Sequence, residues 1–348
     1  MFAERFKSAR LLNGFSLQDL ADRLGKRVTR QALHRYEKGE VLPDSTMIGL
    51  LSDALNVRPD FFFRTMQVVI GEIEYRKLRM PVKEEAKIRE QTRDYLSRYI
   101  ELEEILGIEH AFDNPLKDLP PVSTYEQVNA AAELLRECWD LGKGAIVNIP
   151  ELLEERFVKV VRIDADASFD GLQTFVNGTI PVVAYNSNLS HMKYRVRFTL
   201  LHELAHLLLQ FGDLTHAQKE KLCHQFAGAM LLPEATIKKE LGAHRTKLSF
   251  QELGNVKRQY GISMQALVMR ANVCGIVNDH YVRQFFNSLD QMGWGKEEPV
   301  AYEGTEESGR FDQLVYHALA EELISTSKAA ALKNQTLAAF RYNTLTMK

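Results

Sequence analysis

Cysteine is scarce in this sequence: Cys138, Cys223 and Cys274 are the three in 348 residues. An odd, widely spaced set of that kind excludes a disulfide framework and suits a reducing compartment. An excess of one charge sign is missing as well, since the formal net charge is -2. Any nucleic-acid surface must therefore be local rather than global. No apolar run approaches the roughly 20 residues that cross a bilayer. No basic segment followed by an apolar stretch opens the chain as a secretory leader would. These absences point to a soluble, cytoplasmic protein with no membrane partner. What is present is 45% hydrophobic residues, enough for proper cores, in a length that suits two or three domains of about 150 residues.

The first 65 residues read as a series of short helices. Residues 4–13 place Phe6, Ala9 and Leu12 on one face. Ser16 is the expected N-cap of "SLQDLADRLG", where Leu17, Leu20, Ala21 and Leu24 fall at helical spacing and Gly25 ends the run. Thr29 caps "RQALHRYEKG", with Ala32, Leu33 and Tyr36 inward and Gly39 closing it. "DSTMIGLLSDALN" and "RPDFFFR" follow as further helical pieces. Two short helices around a tight turn are the helix-turn-helix pattern, whose second helix enters the DNA major groove. Residues 1–65 hold 11 Lys and Arg against 8 Asp and Glu, a local positive excess in a slightly acidic chain.

The strings "SLQDLADRLG", "RYEKGEVLPD" and "LSDALNV" resemble the Xre/Cro, or lambda-repressor-like, DNA-binding domain across nearly its whole length. The resemblance implies a double-stranded DNA operator as partner. It places Gln18 against a phosphate and makes Arg30, Gln31, His34 and Arg35 the candidates for base or backbone contact. Arg and Gln suit bidentate pairing with guanine and adenine edges. The competing reading is an interaction module that has kept the fold and lost DNA.

Residues 66–120 connect. "MQVVIGEIEYRKL" alternates as a strand does. "KEEAKIREQTRDYLSRYIELEEILG" reads as a long amphipathic helix whose Ile88, Thr92, Tyr95, Tyr99, Leu102 and Leu106 step by three and four. Its charged face reads as solvated, and its apolar stripe offers a coiled-coil seam for a homodimer. The Pro-rich "FDNPLKDLPPVS" marks a domain boundary.

Further on, "TYEQVNAAAELLRECWDLG" reads as a helix and "RFVKVVRID" as a strand. Asn177-Gly178 joins two β-prone runs into a hairpin. Pro181 predicts that the second run lies at a sheet edge, where a peptide could add as a strand along residues 181–186. "TLLHELAHLLLQ", residues 199–210, then sets three polar groups in a Leu- and Ala-rich helix. His202 and His206 are i and i+4, so both imidazoles project to one point, and neutral imidazole ligates zinc at about 2.0–2.1 Å. Glu203 is one residue round, poorly placed to ligate beside them and well placed to take a proton from water at a metal. The alternative is a core helix with histidines satisfied internally.

An open metal site needs a third protein ligand. A Gly and a His three and six residues beyond His206 would extend the motif, but Leu209 and Gly212 stand there. The next helix, "THAQKEKLCHQFAGAMLLP", starts from a Thr215–Gln218 capping box and ends at Pro233. Glu220, Cys223, His224 and Ala227 share one of its faces. Glu220 is the expected ligand, with His224 hydrogen-bonding a ligand histidine or ligating in place of Glu220. Cys223 is the weaker alternative, a small buried packing residue.

"RVRFTLLHELAHLLL" and "EKLCHQFAGAMLLP" resemble the ImmA/IrrE family of zinc metallopeptidases, over roughly residues 67–280. The resemblance implies a zinc (Zn2+) cofactor and puts the third-ligand Glu on Glu220. Where His224 stands that family usually has Asn or Asp. It also implies a repressor or antitoxin-like protein as substrate or partner, commonly under stress.

Beyond residue 246, "SFQELGNVKRQYGISMQALVMRANVCG" reads as two helices split at Gly261, and "RFDQLVYHALAEELISTSKAAAL" as another pair before a mobile tail. The expected fold is therefore multidomain, mainly α with a small β-sheet. It comprises an all-α lambda-repressor-like DNA-binding domain (1–65), the connecting strand and helix (66–120), an α+β zincin-like peptidase domain (121–245) and a helical C-terminal region (246–348). The function it predicts is a DNA-binding regulator with a zinc endopeptidase, Glu203 being the catalytic base and His202, His206 and Glu220 the metal ligands. The rival readings are a transcription factor that uses the peptidase fold as a ligand or partner sensor, and the antitoxin-like half of a toxin pair.

Overall fold

A computed structural model of the chain describes residues 1–63, 68–71, 74–75, 81–109 and 112–346. The N-terminal helices are α1 (Phe2–Leu12), α2 (Leu17–Arg23), α3 (Arg30–Lys38) and α4 (Ser45–Leu55), followed by a 3-10 turn at Pro59–Phe63. Their caps are the expected ones. Ser16 accepts from Asp19 N and Asp19 answers from the third position of α2, Thr29 accepts from Ala32 N, and Gly39 ends α3 in the left-handed region. Phe6, Leu20, Leu33, Leu51, Leu55 and Phe62 close the core of this unit.

A four-stranded sheet lies further along, in the order β1 (Glu74–Tyr75), β3 (Gly171–Val176), β4 (Ile180–Asn186), β2 (Lys159–Ile163). Parts of the strand expected at 66–78 lie outside the described residues. The β3–β4 hairpin forms as expected, with Asn177 and Gly178 both at positive φ. β4, however, is not an edge. It pairs with β3 on one side and runs parallel to β2 on the other. Pro181 is tolerated because the ladder to β2 begins one residue later, at Val182. Every residue of β4 is buried, which is why its sequence is a continuous apolar run rather than an alternation. The peptide-adding edge expected along residues 181–186 is thus occupied on both sides.

The sheet is covered on both faces. Helix α5 (Val82–Leu106) packs Ile88, Leu96 and Ile100 against Val161, Leu172, Val182 and Ala184. On the opposite face, Val160, Val183 and Tyr185 join a larger core with helices α6 (Tyr125–Cys138), α7 (Ile149–Glu155), α8 (Lys193–Leu208) and α9 (His216–Leu231). That core continues without a break through α10 (Glu234–Leu241), α11 (Phe250–Tyr260), α12 (Met264–Val273) and α13 (Asp279–Gln291).

Helix α5 differs from its sequence reading on both faces. Its Tyr99 and Leu102 are buried against α14 (Arg310–Ala320), α15 (Thr326–Leu332) and α16 (Leu337–Thr346). The stripe expected to form a homodimer seam is thereby covered from within the chain. Its charged residues are not simply solvated either, for Glu90, Asp94 and Glu103 are buried. Ser8 donates to Glu90 at 2.6 Å, Arg5 lies 3.6 Å from Asp94, and Lys159 lies 2.5 Å from Glu103. The tail expected to be mobile is helical through residue 346, and Phe340 is buried.

Between α13 and α14 the chain runs as an irregular strap fixed by two buried ion pairs. Glu298 accepts from Lys257 at 2.7 Å and from the N–H groups of Met264 and Gln265 at the start of α12. Glu306 pairs with Arg197 of α8 and accepts from Ile149 N. Among the described residues no helix is long and apolar enough to cross a membrane.

Candidate metal centre

The site begins with α8, which is buried along most of its length because Leu200, Leu201, Leu204, Ala205 and Leu208 fill the core. That packing fixes the rotation of the helix and hence the direction of its polar residues. His202 is fully buried, Glu203 is 2% exposed, and the side chain of His206 is 12% exposed. Helix α9 lies against α8, and Thr215 opens it with the capping box read from the sequence. Glu220, one turn into α9, turns toward both histidines.

The geometry is specific. One carboxylate oxygen of Glu220 is 3.2 Å from Nε2 of His202 and the other is 3.0 Å from Nε2 of His206. Among the described residues these three form a group whose ligand atoms all lie within 4.8 Å of one another. Two ligand atoms of a tetrahedral zinc, each bonded at about 2.0–2.1 Å, are about 3.3 Å apart. The observed separations therefore fit a metal between them, and two nitrogens with one oxygen leave a fourth position open. Burial pushes the Glu220 carboxyl up, but hydrogen bonding and charge from His202 and His206 outweigh it and hold the group well below the usual carboxylate range.

Glu203 sits against the first residue of β3. A methyl group built on Gly171 would lie 3.1 Å from Oε1 of Glu203 and 2.6 Å from Thr199 Cγ2. Bare backbone is thus what lets β3 approach α8 here, and the sequence carried no sign of it. His224 is exposed. Its ring lies 4.5 Å from that of His202 and stacks on Phe198 at 5.9 Å. Cys223 is fully buried among apolar neighbours. Beside the centre a groove of about 1330 Å³ opens, and Thr199, Asp170, Arg195 and Lys221 on its walls also escaped the sequence reading.

In the N-terminal unit Gln18, Arg30, Gln31, His34 and Arg35 are all exposed. Leu33 is buried beneath them, Arg10 holds Glu37 at 2.6 Å, and Phe6 meets Tyr36 edge-on. These contacts anchor the inner side of α3 to α1 and leave its polar side to solvent. Gln18 donates to Asp22 at 3.1 Å, and Arg35 lies 3.5 Å from Glu40. Lys83 of α5 reaches 3.1 Å from Asp19, beside Gln18.

A helix-turn-helix unit followed by a helix-borne His-Glu-His centre defines a two-part protein, a regulator-type module ahead of a metallopeptidase-type domain. Comparison with known families gives the same division. Residues 6–62 match the helix-turn-helix family, and residues 153–272 match the IrrE N-terminal-like domain of the peptidase M78 family. The chain thus carries an Xre-type helix-turn-helix domain and an M78 peptidase-family domain. It is similar to the SPbeta prophage-derived uncharacterized HTH-type transcriptional regulator YonR of Bacillus subtilis (strain 168), with 42% identity over 64 residues. That match takes in 18% of this chain and 57% of the relative.

Proposed function

We propose that this chain is a cytoplasmic, DNA-binding transcriptional regulator whose M78 domain is a zinc-dependent endopeptidase. The observation that supports it best is the approach of the two Glu220 oxygens to Nε2 of His202 and of His206, with Glu203 on the same helix. His202, His206 and Glu220 would hold the ion. When bound, zinc supplies Lewis-acid polarisation of the scissile carbonyl and an acidified water. Glu203, nearly buried, takes up the proton released as water attacks and returns it to the departing amine. His224 lines the adjoining groove, with its ring 4.5 Å from that of His202. The resemblance noted from the sequence supports a repressor or antitoxin-like protein as substrate, cleaved in a stress response. The exposed Gln18, Arg30, Gln31, His34 and Arg35 form the operator-binding surface.

Replacing Glu203→Gln tests the mechanism, because it removes the base and leaves all three ligands. Bound zinc should equal wild type by elemental analysis, while cleavage of the cognate repressor falls by about 10²–10⁴-fold. His202→Ala should lose the metal as well. A Glu203→Gln protein that cleaves at the wild-type rate would overturn the assignment.

A further inference from the structure

The groove beside the metal centre is wider than catalysis at one peptide bond requires. Its volume of about 1330 Å³ exceeds the roughly 300–1,000 Å³ typical of small-molecule sites. Its lining takes Phe198 from α8, Ala266 and Met269 from α12 and Phe286 from α13. Met269 is 46% exposed although it belongs to a helix that packs its other side into the core. An exposed Met beside half-buried aromatic side chains on a concave surface is the composition of a protein-binding site.

The charge of the rim selects the occupant. Arg195, Lys221, Arg270 and Lys296 line the groove against Asp170 and Glu297. Arg195 lies 3.3 Å from Asp170, and Arg270 is buried, donating to the Leu232 carbonyl and to Asn129. Lys221 and Lys296 both line it and stand exposed, one on α9 and the other on the strap. The groove is therefore locally cationic in a chain whose net charge is -2.

Among the described residues, strand addition is blocked at β4, which β2 and β3 flank. It is hindered at the neighbours of β4, where β1 pairs with Leu172 and Gln173 of β3 and Glu154 accepts from Val160 N of β2. Helix-in-groove binding is the alternative mode. A helix about 10 Å across, rising 1.5 Å per residue, would fill this volume with about three turns.

We propose that the groove is a docking subsite for a short amphipathic helix of the protein substrate, apolar toward Phe198, Met269 and Phe286 and acidic toward Lys221 and Lys296. This rests on the endopeptidase reading and specifies what the enzyme grips beside the bond it cuts. Thr199 and His224 border both the groove and the centre, so a helix seated there delivers its extended flank to the metal.

The test uses the full chain as Glu203→Gln and three fluorescein-labelled synthetic helices about 18 residues long with one apolar stripe. Their polar faces are Glu, Lys or Gln, and binding is read by fluorescence anisotropy. The Glu-faced helix should bind at least about tenfold more tightly than the Lys-faced one. Lys221→Glu with Lys296→Glu should invert that order, and Met269→Glu should abolish binding. Equal affinity for all three faces, or binding unchanged by Met269→Glu, would overturn the subsite. Repeating the titration with the wild-type chain loaded with zinc, alongside an assay of hydrolysis, separates the two proposals. Selective binding by a wild-type, zinc-loaded chain that cleaves no protein substrate supports the groove and removes the enzyme. Hydrolysis of a protein substrate unaffected by Met269→Glu keeps the enzyme and removes the groove.

Discussion

At position 171 the structure has room for a hydrogen and little else. The nearest atoms to an added methyl group are Thr199 Cγ2, the Ala184 carbonyl oxygen and Oε1 of Glu203. Gly171→Ala should therefore push Glu203, the proposed general base, aside and crowd β3 against α8. We expect stability to fall by about 1–3 kcal/mol from overpacking, read by urea unfolding, with zinc content unchanged and hydrolysis reduced. Wild-type turnover in that variant would show that Glu203 adjusts freely. The pairing of His202 with His206 was legible because i, i+4 spacing is a local property of one helix. Glu220 was legible because it shares a face with small residues on the next helix. Gly171 was not, since a glycine in a β-prone run says nothing about which helix passes over it.

Helix α3 shows what local sequence does determine at the scale of an element. Its Thr29 cap, its Gly39 stop and its buried Leu33 follow from short-range chemistry, and they set Arg30 and Gln31 on the exposed first turn. The pair Arg30→Ala with Gln31→Ala should weaken operator binding by about 1–3 kcal/mol for each side chain that pairs with a base edge. Anisotropy at fixed salt measures this, and zinc content should stay unchanged. Unaltered affinity would place the DNA surface elsewhere. β4 shows the opposite case. Pro181 argues for an edge, but the proline rule concerns a single N–H, and the position of β4 is decided by burial on both faces of IPVVAYN. Helices α7 and α13 carry readable signals too. Asn148 caps α7 with Pro150 in its first turn, and Asn278 caps α13, yet apolar periodicity alone does not set either segment apart from the longer runs around it.

For the molecule as a whole the organising element is α5, which touches the helix-turn-helix unit, the sheet and the C-terminal helices. Sequence periodicity reveals its stripe but not the partners of that stripe, because they lie far along the chain. Its buried polar interactions are equally non-local. Tyr99 donates to Glu154 of α7, and Lys159 of β2 stacks over the Tyr99 ring at 4.0 Å while pairing with Glu103. Burial pushes the Glu154 carboxyl up to about 7 from 4.5, against the opposing charge of Lys159. Between those values the folded chain keeps a proton that the unfolded chain has released. The contribution is thus fully present below about 4.5 and is lost as pH rises through about 7. Thermal unfolding of the wild type should fall more steeply from pH 5 to pH 8 than that of Glu154→Gln, with both pH values approximate bounds of that window. Parallel curves for the two proteins would remove Glu154 as the titrating group.

The strap between α13 and α14 has a consequence for how the protein is made. Arg197, on the helix that carries the centre, finds its carboxylate at Glu306, more than a hundred residues downstream. Until that stretch leaves the ribosome, the guanidinium has the backbone carbonyls of Ile146, Val147 and Tyr260 but no buried carboxylate. Seating α8 then leaves a buried charge uncompensated. The fully paired form of α8 therefore arrives late in synthesis, after the helix-turn-helix unit has had time to fold, since N-terminal domains fold first. The helix that carries His202 and His206 is thus completed by the last third of the chain.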